Sequence, residues 1–142
     1  MVTASAIFQK RERIVSRKLM DELFDGNHSH AVVAFPLKAV YLAKEHPDGQ
    51  VPVEVLISVS KRHFKHAVDR NRVKRQVREA YRKQKQLLTE QVGEGLMVAV
   101  AFIWMSDQHF SSAEVDSRVK HLLTRIAKKV GVAPEQQDAA HE

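Results

Sequence analysis

Arg70-Asn71-Arg72-Val73-Lys74-Arg75-Gln76-Val77-Arg78-Glu79-Ala80-Tyr81-Arg82 stands at the centre of a 142-residue chain, and only a helix separates its apolar residues from its charges. Projected at about 100° per residue, Val73, Val77, Ala80, Tyr81, Gln84, Leu87 and Leu88 share one arc of roughly 120°. Lys74, Lys85, Arg78, Asn71, Arg82, Arg75, Arg72 and Lys83 occupy most of the remainder, interrupted only by Glu79. The pattern predicts one helix from Ala67 to Leu88, apolar on one side and cationic on the other. Arg70 falls near the apolar edge, a position suited to flanking a groove.

Between Lys61 and Lys85 there are 11 Lys/Arg against Asp69 and Glu79, a local charge of +9 in a chain whose formal net charge is +6. The rest of the protein is therefore net acidic. Helices that merely face water interleave acids and bases in i,i+4 pairs, with basic stems covering core edges. Acids are almost missing here, so the face repels itself unless a polyanion lies against it. Arginine dominates, and its planar fork suits bidentate phosphate contact.

Working outward, a strand–helix–strand setting frames this segment. Val53 to Ser60 alternates Val53, Val55, Ile57 and Val59 with Glu54, Leu56, Ser58 and Ser60, and reads as a strand. After Gly93-Glu94-Gly95, Leu96 to Trp104 is continuously apolar, as a central strand covered on both faces requires. Ala31 to Ala43 is a further strand, at an edge or broken by a bulge because Pro36 donates no hydrogen bond. The turn His46-Pro47-Asp48-Gly49 suggests that it pairs with Val53–Ser60 as an antiparallel hairpin.

Helical spacing of Leu19, Met20, Leu23 and Phe24 predicts a first helix over about Val15–Asp25, stopped by Gly26-Asn27. Val115, Val119, Leu122, Leu123 and Ile126 predict a last helix over about Ala113–Val130. Residues 1–10 read as a loose arm, and residues 132–142 as a polar tail. Lys10, Arg11, Arg13, Arg17 and Lys18 form a second basic patch. Residues 1–142 make one domain, with neither repeat nor second core.

Composition narrows the class. Apolar content of 44% and charged content of 28% are ordinary for a globular domain, and the pI of about 9.7 favours an acidic partner. There is no cysteine, hence neither disulfide nor thiolate metal site. No apolar run approaches the roughly 18 residues of a membrane span, and Met1–Arg13 lacks a signal-peptide core. A cytoplasmic protein without a membrane partner is expected, and no obligate protein partner is evident. The eight histidines, including His28, His30, His63 and His66, lack carboxylates at ligand spacing, so no metal site is expected. Asp107 and His109 with Ser106, Ser111 or Ser112 have no nucleophile turn, and no acidic cluster supports two-metal cleavage. No catalytic residue is assigned.

DNA and RNA are less well separated by these residues. A helix-turn-helix would need paired short helices, which are missing; a helix presented on a sheet suits folded RNA. Arg70-Asn71-Arg72-Val73-Lys74-Arg75 followed by Arg78-Glu79-Ala80-Tyr81-Arg82 closely resembles the RNR signature of the bacterial ribonuclease P protein component. Ser58-Val59-Ser60-Lys61-Arg62, Ala67-Val68 and Leu23-Phe24-Asp25-Gly26 resemble its flanking segments in the right order, over roughly residues 10–130.

The resemblance implies an α+β fold: a single-domain α/β sandwich similar to the second domain of ribosomal protein S5. Its order is α-β-β-β-α-β-α, with a left-handed β-α-β crossover that departs from the usual preference. It implies the protein subunit of an RNA-based endoribonuclease, with chemistry left to the RNA and Mg²⁺ held mainly by RNA and substrate. Lys61, Arg62, Arg70, Asn71, Arg72, Lys74, Arg75, Arg78 and Arg82 would bind RNA: the catalytic ribonuclease P RNA and precursor tRNA. Met20, Phe24, Tyr41 and Ser58 would line a cleft for the precursor's 5′ leader. Met20 stands where the family often has Phe, and its thioether grips a base less specifically. Phe24 also fits an ordinary core position. The alternative is a ribosomal or other structural RNA-binding protein with the same sandwich and no nuclease role.

Overall fold

The computed structural model describes residues 10–14, 16–45, 52–93 and 95–131. After a one-turn 3-10 helix at Lys10–Glu12, the elements are α1 (Arg17–Phe24), β1 (His30–Ala34), β2 (Leu37–Glu45) and β3 (Val53–Ser58). They continue with α2 (Ala67–Gln84), α3 (Gln86–Thr89), β4 (Leu96–Trp104) and α4 (Ser112–Gly131). The expected loose arm (apart from Lys10), the tail and the turn at residues 46–49 lie outside the described residues.

Four strands form one sheet in the order β1-β2-β4-β3. The apolar run Leu96–Trp104 is central as expected, antiparallel to β2 and parallel to β3. The connection from β3 through α2 to β4 thus joins two adjacent parallel strands. The arrangement is a mixed α/β single domain, as the resemblance implies.

The expected hairpin between residues 31–43 and 53–60 does not form. The chain instead turns at Phe35-Pro36, joined by a cis peptide, and β1 pairs back on β2 from Ala34↔Leu37 to His30↔Tyr41. A residue without an N–H is placed in the turn, where no ladder bond is lost. With β1 on one side and β4 on the other, β2 has no free edge for β3. The outer edge of β3 is met by Arg13-Ile14, where the Ile14 N–H donates to the Val55 carbonyl at 3.0 Å.

Alternation sorts the sheet into two faces. Leu37, Ala39, Tyr41, Val53, Val55, Val98, Val100, Phe102 and Trp104 pack with the apolar sides of α2 and α4 in the larger core. Leu42, Met97, Ala99 and Ala101 pack on the other face with Ile14, Leu19 and Leu23. Helices α1 and α4 do not begin alike. The Ser16 hydroxyl accepts from the Leu19 N–H at 3.2 Å and starts α1 two residues later than expected. Ser111 and Glu114 form a reciprocal capping box at the head of α4, with the Glu114 N–H donating to Ser111 Oγ and the Ser111 N–H to Glu114 Oε1.

The helix expected to run unbroken to Leu88 breaks at Lys85, and α3 follows. Leu88 is buried but Leu87 is exposed. Lys85, expected on the cationic face, is instead buried. Its ammonium donates to both carboxylate oxygens of Glu12, at 2.9 and 3.1 Å, and each side chain is only 7% exposed. A buried charge needs a partner. Glu12, the one acid in a basic arm, supplies it.

Candidate nucleic-acid interface

Val73, Val77, Ala80 and Tyr81 seal the inner side of α2 against the core, and burial pushes the Tyr81 phenol far up. What faces outward is therefore set by the helical repeat. Asn71, Arg72 and Arg75 are exposed, while Lys74, Arg78 and Arg82 are half-buried. Among the described residues, no carboxylate lies in ion-pair range of Arg72, Lys74, Arg75 or Arg78. These four cations stay uncompensated along more than one turn of helix.

Arg82 differs. It grips Glu79 with two bonds, Nε to Oε2 at 2.9 Å and Nη2 to Oε1 at 2.6 Å. That grip holds the Glu79 carboxyl below its usual range and raises the Arg82 guanidinium. The one acid on the cationic side is thus partly neutralised by a local base. Arg70 turns back on its own chain. Its Nη1 donates to the carbonyls of Phe64 and Lys65, both at 2.9 Å. Instead of flanking a groove, it braces the turn ahead of α2.

Lys61 and Arg62 occupy that turn and are exposed. The Arg62 N–H donates to Ser60 Oγ at 3.0 Å, and the His63 N–H to the Ser60 carbonyl at 3.1 Å. Ser58, two residues earlier, ends β3. The turn after the strand and the helix that follows it therefore both carry basic residues.

The four residues expected to line a second cleft are not brought together. Met20 and Phe24 share one side of α1, and Phe24 is 51% exposed, which removes its reading as an ordinary core residue. Ser58 is half-buried on the sheet face that α1 covers, alternating with Ile57 on the other. Tyr41, by contrast, belongs to the opposite core, beside the His30 ring at 5.5 Å and in the field of Arg125 on α4. Burial raises its phenol, with Arg125 opposing. It cannot line a cleft between α1 and the sheet.

On the α1 side of β2, Leu42 is buried against Leu19 and Leu23 and Lys44 pairs with Glu22, while Lys38 and Val40 are half-buried beyond them. Cross-strand rows place them beside the right neighbours: Ser58↔Ile103↔Lys38, and Leu56↔Ala101↔Val40. Sequence reasoning misses Lys38 and Val40 because β2 reads as apolar at both parities around Tyr41. The signal that finds them is register, which the sequence does not contain. Among the described residues, no group of three or more His, Asp or Glu is placed to hold a metal, and no helix is long and apolar enough to cross a membrane.

Known proteins resemble the chain in both sequence and shape. The family pattern described as Ribonuclease P matches residues 8–127. The ribonuclease P protein component of Porphyromonas gingivalis strain ATCC 33277 is 38% identical over 133 residues, covering 91% of this chain and 94% of that protein. That of Chlorobaculum tepidum is 36% identical over 84 residues, 54% of each. The solved RNase P protein of Thermotoga maritima superposes with a TM-score of 0.60 over 80% of this chain and 96% of its own, at 19% identity. Sequence pattern, relatives and fold agree: the chain belongs to the ribonuclease P protein family.

Proposed function

We propose that this chain is the protein subunit of a ribonuclease P. It binds the catalytic RNA through the cationic side of α2 and its leading turn, and the 5′ leader of precursor tRNA in the cleft between α1 and the sheet. Together they remove the leader endonucleolytically, leaving the mature 5′ end. The observation that carries the reading is the row Arg72, Lys74, Arg75 and Arg78, uncompensated on a helix whose other side is locked in the core.

The contribution is electrostatic. Each phosphate neutralised by such a surface releases condensed counterions, so affinity falls steeply with salt. Bringing two polyanions together against their repulsion assembles the reaction without side-chain chemistry. Magnesium is held mainly by the RNA and the substrate. In the cleft, the exposed Phe24 ring offers a stacking surface worth about 1–3 kcal/mol per base. In this reading Met20, Ser58, Lys38 and Val40 complete its walls. Gripping a segment present only in the precursor favours substrate over product.

Reconstitution tests this directly. Precursor cleavage at low magnesium is measured with RNA alone, protein alone and both. Cleavage only in the mixture is expected. Cleavage by the protein alone overturns the reading, and tight RNA binding with no effect on cleavage favours a structural RNA-binding protein.

A further inference from the structure

We propose that Gln76 is a positioning residue: it fixes the rotation of α2 about its own axis, and so the direction in which Arg72 and Arg75 point. The inference rests on the RNA-binding reading of that face and adds a residue to it.

Asp69, Gln76 and Lys83 are seven apart and line one edge of α2, between its apolar arc and Arg72. All three reach the segment that enters α4. His109 Nε2 donates to Asp69 Oδ1 at 3.0 Å, and Lys83 Nζ donates to Asp116 Oδ2 at 2.8 Å. Gln76 Nε2 donates to the Phe110 carbonyl at 3.0 Å and lies 3.3 Å from Ser112 Oγ. The outer two contacts are partly exposed, a class that contributes little. Gln76 sits between them and is the central tie.

Its chemistry is unlike that of Val73, Val77 and Ala80 and is shared, further along α2, by Gln84, whose Nε2 donates to the Asp116 carbonyl at 3.0 Å. Val73, Val77 and Ala80 hold α2 to the core by apolar packing that has no preferred direction. Such packing resists a turn of the helix about its own axis through shape alone. A turn of about 20° swings a guanidinium roughly 9 Å from the axis by about 3 Å, a full hydrogen-bond length. A carboxamide bonded to fixed backbone removes that freedom. Gln76 Oε1 is buried with no protein partner, a cost an apolar side chain would avoid. What glutamine adds at this position is direction. Arg72 and Arg75, four residues and one residue earlier, are the cations nearest the tie.

The test compares wild type, Gln76→Leu, Arg75→Ala and the double variant. Each is titrated with the ribonuclease P RNA transcript across a salt series, alongside thermal unfolding. Gln76→Leu is expected to bind about tenfold more weakly at fixed salt. Its dependence of log K on log salt becomes shallower by about 0.9 for each phosphate no longer engaged. In the Arg75→Ala background the same change adds less than its full effect, because the share of it that passes through Arg75 is already lost. Wild-type affinity and slope in Gln76→Leu, or a loss fully additive with Arg75→Ala, overturns the proposal. If Gln76→Leu does not fold, Gln76→Met, which keeps the side-chain length, is judged by the same outcomes. A wild-type protein that binds no transcript defeats the underlying reading and this proposal with it. Binding by wild type that Gln76→Leu matches defeats the proposal alone.

Discussion

Against one face of the sheet lie α2 and α4, 18 and 20 residues long, whereas among the described residues the other carries the eight residues of α1 and Ile14. The first face is sealed: Val73, Val77, Leu122 and Leu123 have no solvent exposure. The second has a small sealed centre around Leu23 and Ala99, with Val40, Leu56 and Ile103 left half-buried beside it. Apolar surface left facing water forgoes about 25 cal/mol for each Å². A protein that leaves it so has somewhere to hold a partner. The sealed face thus provides stability and a rigid mount for the cationic helix. The thinly covered face is where the proposed leader cleft lies. Stability and recognition are divided between the two sides of one sheet.

The division can be broken at its strongest joint. Glu12→Ala strands the Lys85 charge in the interior and is expected to cost about 3–5 kcal/mol, read by denaturant unfolding. Joint replacement by Glu12→Leu and Lys85→Met should recover much of that loss, because no unpaired charge remains. Next comes a direct contrast between the faces. Leu122→Ala, on the sealed side, is expected to lower stability by about 3 kcal/mol. Met20→Ala, at the open cleft, should cost less than about 1 kcal/mol. Equal losses would erase the distinction.

Two further expectations sharpen the functional half. Arg72→Ala with Arg75→Ala should weaken binding to the ribonuclease P RNA by about 2 kcal/mol and reduce the salt slope by about 1.8, with unfolding unchanged. An unchanged slope would remove these arginines from the interface. Phe24→Ala should cost about 1–2 kcal/mol of precursor-tRNA affinity, little mature-tRNA affinity and under about 0.5 kcal/mol of stability. Equal losses for the two RNAs would place Phe24 outside a leader site.

Much of this is legible because it is periodic. β4 is recognisable from nine apolar residues in a row, and α2 from the separation of Val73, Val77, Ala80 and Tyr81 from the arginines. The exposure of Phe24 is not legible, since Leu23 and Phe24 both suit a buried stripe and only Leu23 is buried. Pro36 reads as a flaw within one strand, although it makes the turn between two. Likeness to a motif carries Tyr41 to the α1 cleft, and register sends it to the other core. The capping box at Ser111–Glu114 has a readable signal, Ser-Ser-Ala-Glu before an apolar stripe, which the periodicity of the helix alone passes over.

The order of residues alone determined that one helix must divide apolar from cationic sides, and that Glu79 alone would locally oppose the latter. Such patterns depend on neighbours three or four positions apart. Tertiary structure alone decided which parity of β2 faces α1, that β3 joins β4, and that Lys85 leaves the cationic face to meet Glu12, 73 residues away. Those outcomes turn on pairings between distant segments. No local repeat encodes them, because the energy of a strand edge or a buried charge is defined only by what comes to lie against it.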